Sequence, residues 1–217
     1  MKKRVLLMGL AAVMVMGAVV GGSLAAGQAS AENPVTAPLA AATLNIEWNG
    51  GKSDLVALTI TDKVLMPADN VEVKNGYQVD NTGNVDAYIR VTVTKYWADE
   101  NGKTTALAAG NIQLDLNSKD WLTAEKLFEG NSGETEVYYY RYPVAAGQST
   151  SELLETIGIP ASLTNDYAGM TVHLEAVADG VQFAGADANE LNASGILASW
   201  GVSAQLDENG NLVSVTE

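Results

Sequence analysis

The chain of 217 residues has no cysteine, one histidine, two phenylalanines and five prolines. Without cysteine there is no disulfide and no Cys-ligated zinc or iron–sulfur site. A lone His173 excludes the two-histidine helix motif of zinc proteases, and a Ser-His-Asp triad would have to use His173 itself. No Gly-x-Ser-x-Gly elbow and no Ser-x-x-Lys pair accompanies it. Phosphate-cradling glycine loops are also missing, because Gly50-Gly51 is not followed at the required spacing by Gly-Lys. Basic residues are few: 12 Lys and Arg face 26 Asp and Glu, a formal charge of −14. Such a surface repels nucleic-acid phosphates and anionic lipid, and fits cations or a basic partner better.

The first residues read as an export signal. Lys2, Lys3 and Arg4 precede an apolar run from Val5 to Val20, which Gly21, Gly22 and Ser23 end. Ala29-Ser30-Ala31 supplies a small-x-small cleavage pattern, so residues 1–31 form a signal peptide cut between Ala31 and Glu32. The competing reading is an uncleaved anchor, since Val5 to Leu24 approaches the length of a bilayer span. The small residues after it favour cleavage. Three of the 12 basic residues leave with the signal, so nine face 26 acidic ones and the mature charge is −17. No second spanning stretch follows, and no membrane contact is expected after signal removal. The expected location is the cell surface or exterior of a bacterium, with stability drawn from core and sheet pairing rather than disulfides.

Residues 32–43 are Pro- and Ala-rich and read as an extended arm before a single domain over 44–217. A two-residue period then dominates. Leu44, Ile46 and Trp48 alternate with polar neighbours, and Leu55 to Thr61, apolar on both faces, suggests a central strand. Val71, Val73, Tyr77 and Val79 face one way. After a turn at Asn81 to Asn84, Ala87, Ile89, Val91 and Val93 repeat the pattern, and the strand runs on to Trp97. Asp99-Glu100-Asn101-Gly102 marks a hairpin turn. Further strands are expected at Ile112 to Leu116, Glu134 to Tyr142 and Met170 to Ala178, and a short helical turn from Gly147 to Leu154. Asp187 with Glu190 resembles a capping box opening a helix to Trp200, which Gly195 weakens, and Val202 to Val215 suggests a closing hairpin. The fold class that results is all-β: an antiparallel two-sheet sandwich with one short helix in the C-terminal half.

Side chains with obvious chemistry are hard to find. His173 falls on the polar side of its strand with Thr171 and Glu175 and reads as a solvated residue. Asp207, Asn209 and Asn211 match the first ligand positions of a calcium loop, but Leu212 stands where glycine is required. The same pattern from Asp99 fails at Lys103, so both segments read as turns. No two carboxylates stand out as a glycosidase pair. No catalytic residue, metal site or cofactor is expected. Tyr138, Tyr140 and Tyr142 share one strand face, and an exposed row of such rings would signal sugar binding.

Five stretches in order carry a family likeness: VDNTGNVDAYIRVTV at Val79 to Val93, KYWADENGK at Lys95 to Lys103, NSKDWL at Asn117 to Leu122, VYYYRYPVAAGQST at Val137 to Thr150, and YAGMTVHLEAVADGVQ at Tyr167 to Gln182, running on to Ser199-Trp200-Gly201. Together they resemble the exported TasA/camelysin family. The resemblance implies a jelly-roll-like sandwich and a structural role in the fibres of a biofilm matrix. It also implies a signal peptide read by a dedicated peptidase. Surface metalloproteases have been described in the family too, but His173 stands here without a ligand cluster. The expected function is a non-enzymatic surface or matrix protein that self-associates by strand addition or binds a cell-surface protein. The alternative is a monomeric module for a glycan, calcium or a protein ligand.

Overall fold

The computed structural model describes residues 77–217 except 105, 125–132, 164 and 168, together with the backbone of three earlier strands. The signal peptide, its cleavage residues Ala29, Ala31 and Glu32, and the arm over 32–43 lie outside the described residues. In chain order the strands are β1 (Ile46–Trp48), β2 (Leu55–Thr59), β3 (Asn70–Glu72), β4 (Val79–Asn81), β5 (Ala87–Asp99), β6 (Gly102–Thr104), β7 (Gln113–Leu116), β8 (Trp121–Thr123), β9 (Thr135–Tyr140), β10 (Leu154–Gly158) and β11 (Thr171–Gln182). One α-helix, α1 (Asn189–Trp200), and a hairpin of β12 (Ser203–Leu206) and β13 (Leu212–Thr216) complete the chain. Among the described residues the fold is all-β and antiparallel with a single short helix.

The largest sheet runs β2-β11-β5-β9-β8, with β6 folded back on the end of β5. Its spine is the pairing of β5 with β11, in register from Thr171 opposite Ala98 to Gln182 opposite Ala87. A three-stranded sheet, β3-β10-β7, is the second principal layer, and β1 pairs with β4 beside it. Period-two alternation explains how one sheet serves two cores. Ile89, Val91, Val93 and Trp97 of β5, with Val172, Leu174 and Ala176 of β11, meet Leu154 and Ile157 of β10 in the main core. The intervening residues Tyr88, Tyr139 and Val181 point the other way, into a second core closed by Ile196 and Trp200 of α1 and by Leu212 and Val215 of the hairpin.

Several expectations need correction. Leu55–Thr59 is the outermost strand of the large sheet among the described residues, not a central one. Hydropathy reports what covers a strand's faces and is silent about its edges. The run from Val71 to Val79 is not one strand: Asn70–Glu72 pairs with β10, whereas Val79–Asn81 pairs with β1. Tyr77, with φ 41, sits between them in a backbone conformation that cannot continue a strand. The segment from Gly147 to Leu154 is not helical: Ser149 bridges to Asp80, and Leu154 opens a strand. Thr150 and Leu153 donate backbone bonds to the carbonyls of Val79 and Tyr77, and both Leu153 and Leu154 are buried.

The capping box at Asp187 does not form. Ala186–Ala188 is a 3₁₀ turn, and α1 starts at Asn189 without a side-chain cap on Ala188. The approach to the helix is held instead by the buried Asn192, whose Oδ1 accepts from Ala184 N at 2.8 Å while Nδ2 donates to Gly185 O at 2.9 Å. Gly195 lies against Val181, where an added Cβ would sit 3.5 Å from Cγ1. At the far end Gly201, with φ 71, donates its N–H to Leu197 O and stops the helix.

Candidate functional site

Among the described residues three polar clusters occur on the large sheet, and each belongs to a definite face. The first lies in the main core. Lys95 continues the inward set of Val91 and Val93 and is only 3% exposed. Its ammonium donates to Ile112 O at 2.7 Å and pairs with Glu136 Oε1. The Tyr138 hydroxyl donates to the other oxygen of Glu136. Burial first, then the adjacent carboxylate, pushes the Tyr138 phenol well above its ordinary range. This is a paired cation inside a hydrophobic layer, with the Glu136 side chain about one-third exposed at the rim (32%).

The second cluster fastens the helix. Arg90 donates through Nε and Nη2 to Asp179 Oδ2, at 3.0 and 2.9 Å, across the β5–β11 pair. Trp200 Nε1 donates to Asp179 Oδ1, and the Arg90 guanidinium lies 5.3 Å from the Trp200 ring centroid. Tyr139 packs on the same indole at 5.5 Å. The carboxylate thus has both oxygens engaged by groups that hold α1 on the sheet.

The third cluster contains His173. Its ring stacks on Tyr96 at 5.2 Å and 5° between planes, as the register of the two strands requires. The Tyr96 hydroxyl donates to Glu175 Oε1 at 2.9 Å, and Lys103 lies over the same ring at 5.1 Å while pairing with Glu134. Thr171 Oγ1 donates its one hydrogen to Ala98 O at 3.1 Å. It also lies 3.2 Å from His173 Nε2, within hydrogen-bond distance. The imidazole is a member of a cross-strand ladder on a half-buried polar face, the side of the strand that the sequence assigns to it.

The tyrosine row is not an exposed stripe. Tyr138 and Tyr139 are buried on opposite faces, Tyr140 is half-buried against Trp121 at 5.0 Å, and Tyr142 alone reaches 37% exposure. Trp97, Trp121 and Trp200 are likewise buried. These rings fill the two cores.

Asp207 and Asp99 both close turns. Asp207 Oδ1 accepts from the amides of Asn209 and Asn211 at 2.8 and 2.9 Å, and Oδ2 accepts from Asn211 Nδ2 at 2.9 Å. The Asn211 contacts, side chain first, lower the pKa of this carboxyl below its usual value. Asp99 Oδ1 accepts from Asn101 N at 2.7 Å. Among the described residues no three His, Asp or Glu side chains gather as a metal site, and no helix is long and apolar enough to cross a membrane.

No protein-family model, no curated protein and no solved structure matches the chain. The functional reading therefore stands on sequence features and on this geometry. Sequence reasoning missed the Lys95–Glu136–Tyr138 cluster, although strand parity could have found it. Odd-numbered residues of β5 face the core, and Lys95 is odd.

Proposed function

We propose that this chain is a secreted cell-surface or extracellular-matrix structural protein of the TasA/camelysin type, assembling by strand addition. The jelly-roll connectivity and the fibre role implied by the resemblance belong to the same proposal. The observation that carries it is an edge. The three-stranded sheet ends on Gln113–Leu116, whose strand partner among the described residues is Leu154–Gly158 alone. That strand alternates cleanly and carries a single charge, Asp115, with no proline. An outer strand of this kind is a template for an extended segment from another molecule.

The side chains give this reading secondary support. The polar groups with reactive potential are committed to packing: Lys95 and Glu136 to one core, Arg90 and Asp179 to the helix, His173 to the Tyr96 ladder. The donor would be the uncharged arm from Asn33 to Leu44 of a second copy. Donation from one molecule to the next gives an open filament rather than a closed ring.

The test is sedimentation and electron microscopy of the processed protein, 32–217, beside a version lacking 33–44. Filaments that grow with concentration and vanish on deleting the arm are the expected result. A protein that stays monomeric at high concentration across pH and salt, with the shortened version behaving identically, refutes assembly by donation.

A further inference from the structure

Two hairpin turns share a sequence logic and differ in how the fold holds them. Asp99-Glu100-Asn101-Gly102 and Asp207-Glu208-Asn209-Gly210 both place an aspartate that accepts from the asparagine amide two residues on, at 2.7 and 2.8 Å. Both finish on a glycine of positive φ, 110 at Gly102 and 78 at Gly210. The Asn-Gly peptide is the one best suited to intramolecular attack on the asparagine side chain, because the glycine has no Cβ to obstruct its own nitrogen.

The surroundings separate the two. Gly210 is buried, and its carbonyl accepts from the Tyr88 hydroxyl at 2.7 Å. Its amide donates to Asp207 O at 3.1 Å. A Cβ there would lie 2.6 Å from Phe183 Cε2, which shows how closely the ring closes over the peptide. The following amide, Asn211 N, is tied to Asp207 Oδ1. Around Gly102 an added Cβ would meet nothing within 4 Å. Asn101 and Gly102 are exposed, and the short strand Gly102–Thr104 pairs with β5 alone among the described residues.

We propose that Asn101 is a self-modification site of this protein, converting spontaneously to aspartate and isoaspartate, while the fold protects Asn209. The Gly102 backbone nitrogen loses its proton and bonds to Asn101 Cγ. The bond from Cγ to the side-chain nitrogen breaks, ammonia carries that proton away, and a succinimide ring closes across the peptide. Water then opens the ring at either carbonyl. One opening restores the backbone with an aspartate, and the other routes the backbone through the side-chain carbon. The net change consumes one water, releases one ammonia and requires no other reagent. Either product adds a negative charge beside Asp99 and Glu100. The isoaspartate form also lengthens the tip next to Lys103, whose ammonium lies over Tyr96 and pairs with Glu134.

The experiment is a timed incubation of the purified full chain at mildly alkaline pH. Peptide mapping then follows the amide-to-carboxyl mass change at each site, in native buffer and in denaturant. Asn49-Gly50 and Asn75-Gly76 lie outside the described residues and separate as their own peptides. In native buffer Asn101 should convert roughly tenfold or more faster than Asn209, the gap that the Tyr88 bond and the Phe183 ring impose on local opening. In denaturant the two sites should converge, because the flanking sequences Asp-Glu-Asn-Gly are the same. Equal native rates, an Asn209 that converts first, or a gap that survives denaturation would overturn the proposal.

Discussion

Lys95 Nζ and the carbonyl of Ile112 lie 2.7 Å apart inside the main core, so an ammonium spans from the large sheet to the residue preceding β7. The charge is balanced by Glu136, which also holds the Tyr138 hydroxyl. A buried pair of this kind offsets its desolvation rather than adding much net stability, and breaking one side costs more than replacing both partners with apolar chains of similar volume. Glu136→Ala should therefore destabilise by about 1–3 kcal/mol, less than a fully buried broken pair because the carboxylate is one-third exposed. The double variant Lys95→Met with Glu136→Leu should fall within about 1 kcal/mol of the parent. Urea unfolding midpoints at constant m-value test both. A double-variant loss larger than that of Glu136→Ala would contradict this account.

Gly195 sits in the middle of α1, where glycine costs backbone entropy. An added Cβ would reach Val181 Cγ1 at 3.5 Å, an ordinary contact. Gly195→Ala is therefore expected to raise stability by about 0.5–1 kcal/mol, the helix-propensity difference. Thermal unfolding reads the gain directly.

Gly210 makes the opposite case. Its φ of 78 and the 2.6 Å approach of Phe183 leave no place for a side chain. Gly210→Ala should cost about 1–3 kcal/mol through strain and displacement of the ring. Gly102→Ala, with φ 110 but open space around it, should cost less than Gly210→Ala. Reversal of that order in chemical unfolding would show that the Phe183 contact is not what limits the site.

Much of this architecture was legible from residue alternation. The inward sets on β5 and β11, the hairpin at Asp99 to Gly102 and the closing hairpin at Asp207 to Asn211 all follow from period two and turn chemistry. What escaped was what alternation does not encode. Leu154–Gly158 went unread because two adjacent buried leucines and a Gly-Gln-Ser-Thr lead-in mimic a helical turn, whereas its extended form depends on pairing with Asn70–Glu72 and Gln113–Leu116, far away in sequence. The helix start slipped because Asn192, not Asp187, supplies the polar contacts there. His173 was placed on the right face, but its stacking on Tyr96 needed the β5–β11 register, which no single segment reveals.

Asp207 links the closing hairpin to pH. Its carboxylate accepts from Asn211 Nδ2, Asn211 N and Asn209 N, and these contacts lower its folded-state pKa. For a carboxyl depressed on folding, the contribution to stability is fully present above the unfolded value, about 4, and drains away as pH falls through the lower folded value. The parent should therefore be more stable than Asp207→Ala at neutral pH, with the gap narrowing below about pH 4 as the carboxylate is protonated. Because the hairpin supplies Leu212 and Val215 to the second core, the loss should appear first as exposure of the Trp200 indole that packs there. Tryptophan fluorescence against pH, for parent and variant side by side, measures both the stability gap and its location. A gap that stayed constant into acid would mean that the side-chain volume of Asp207, not its charge, holds the turn.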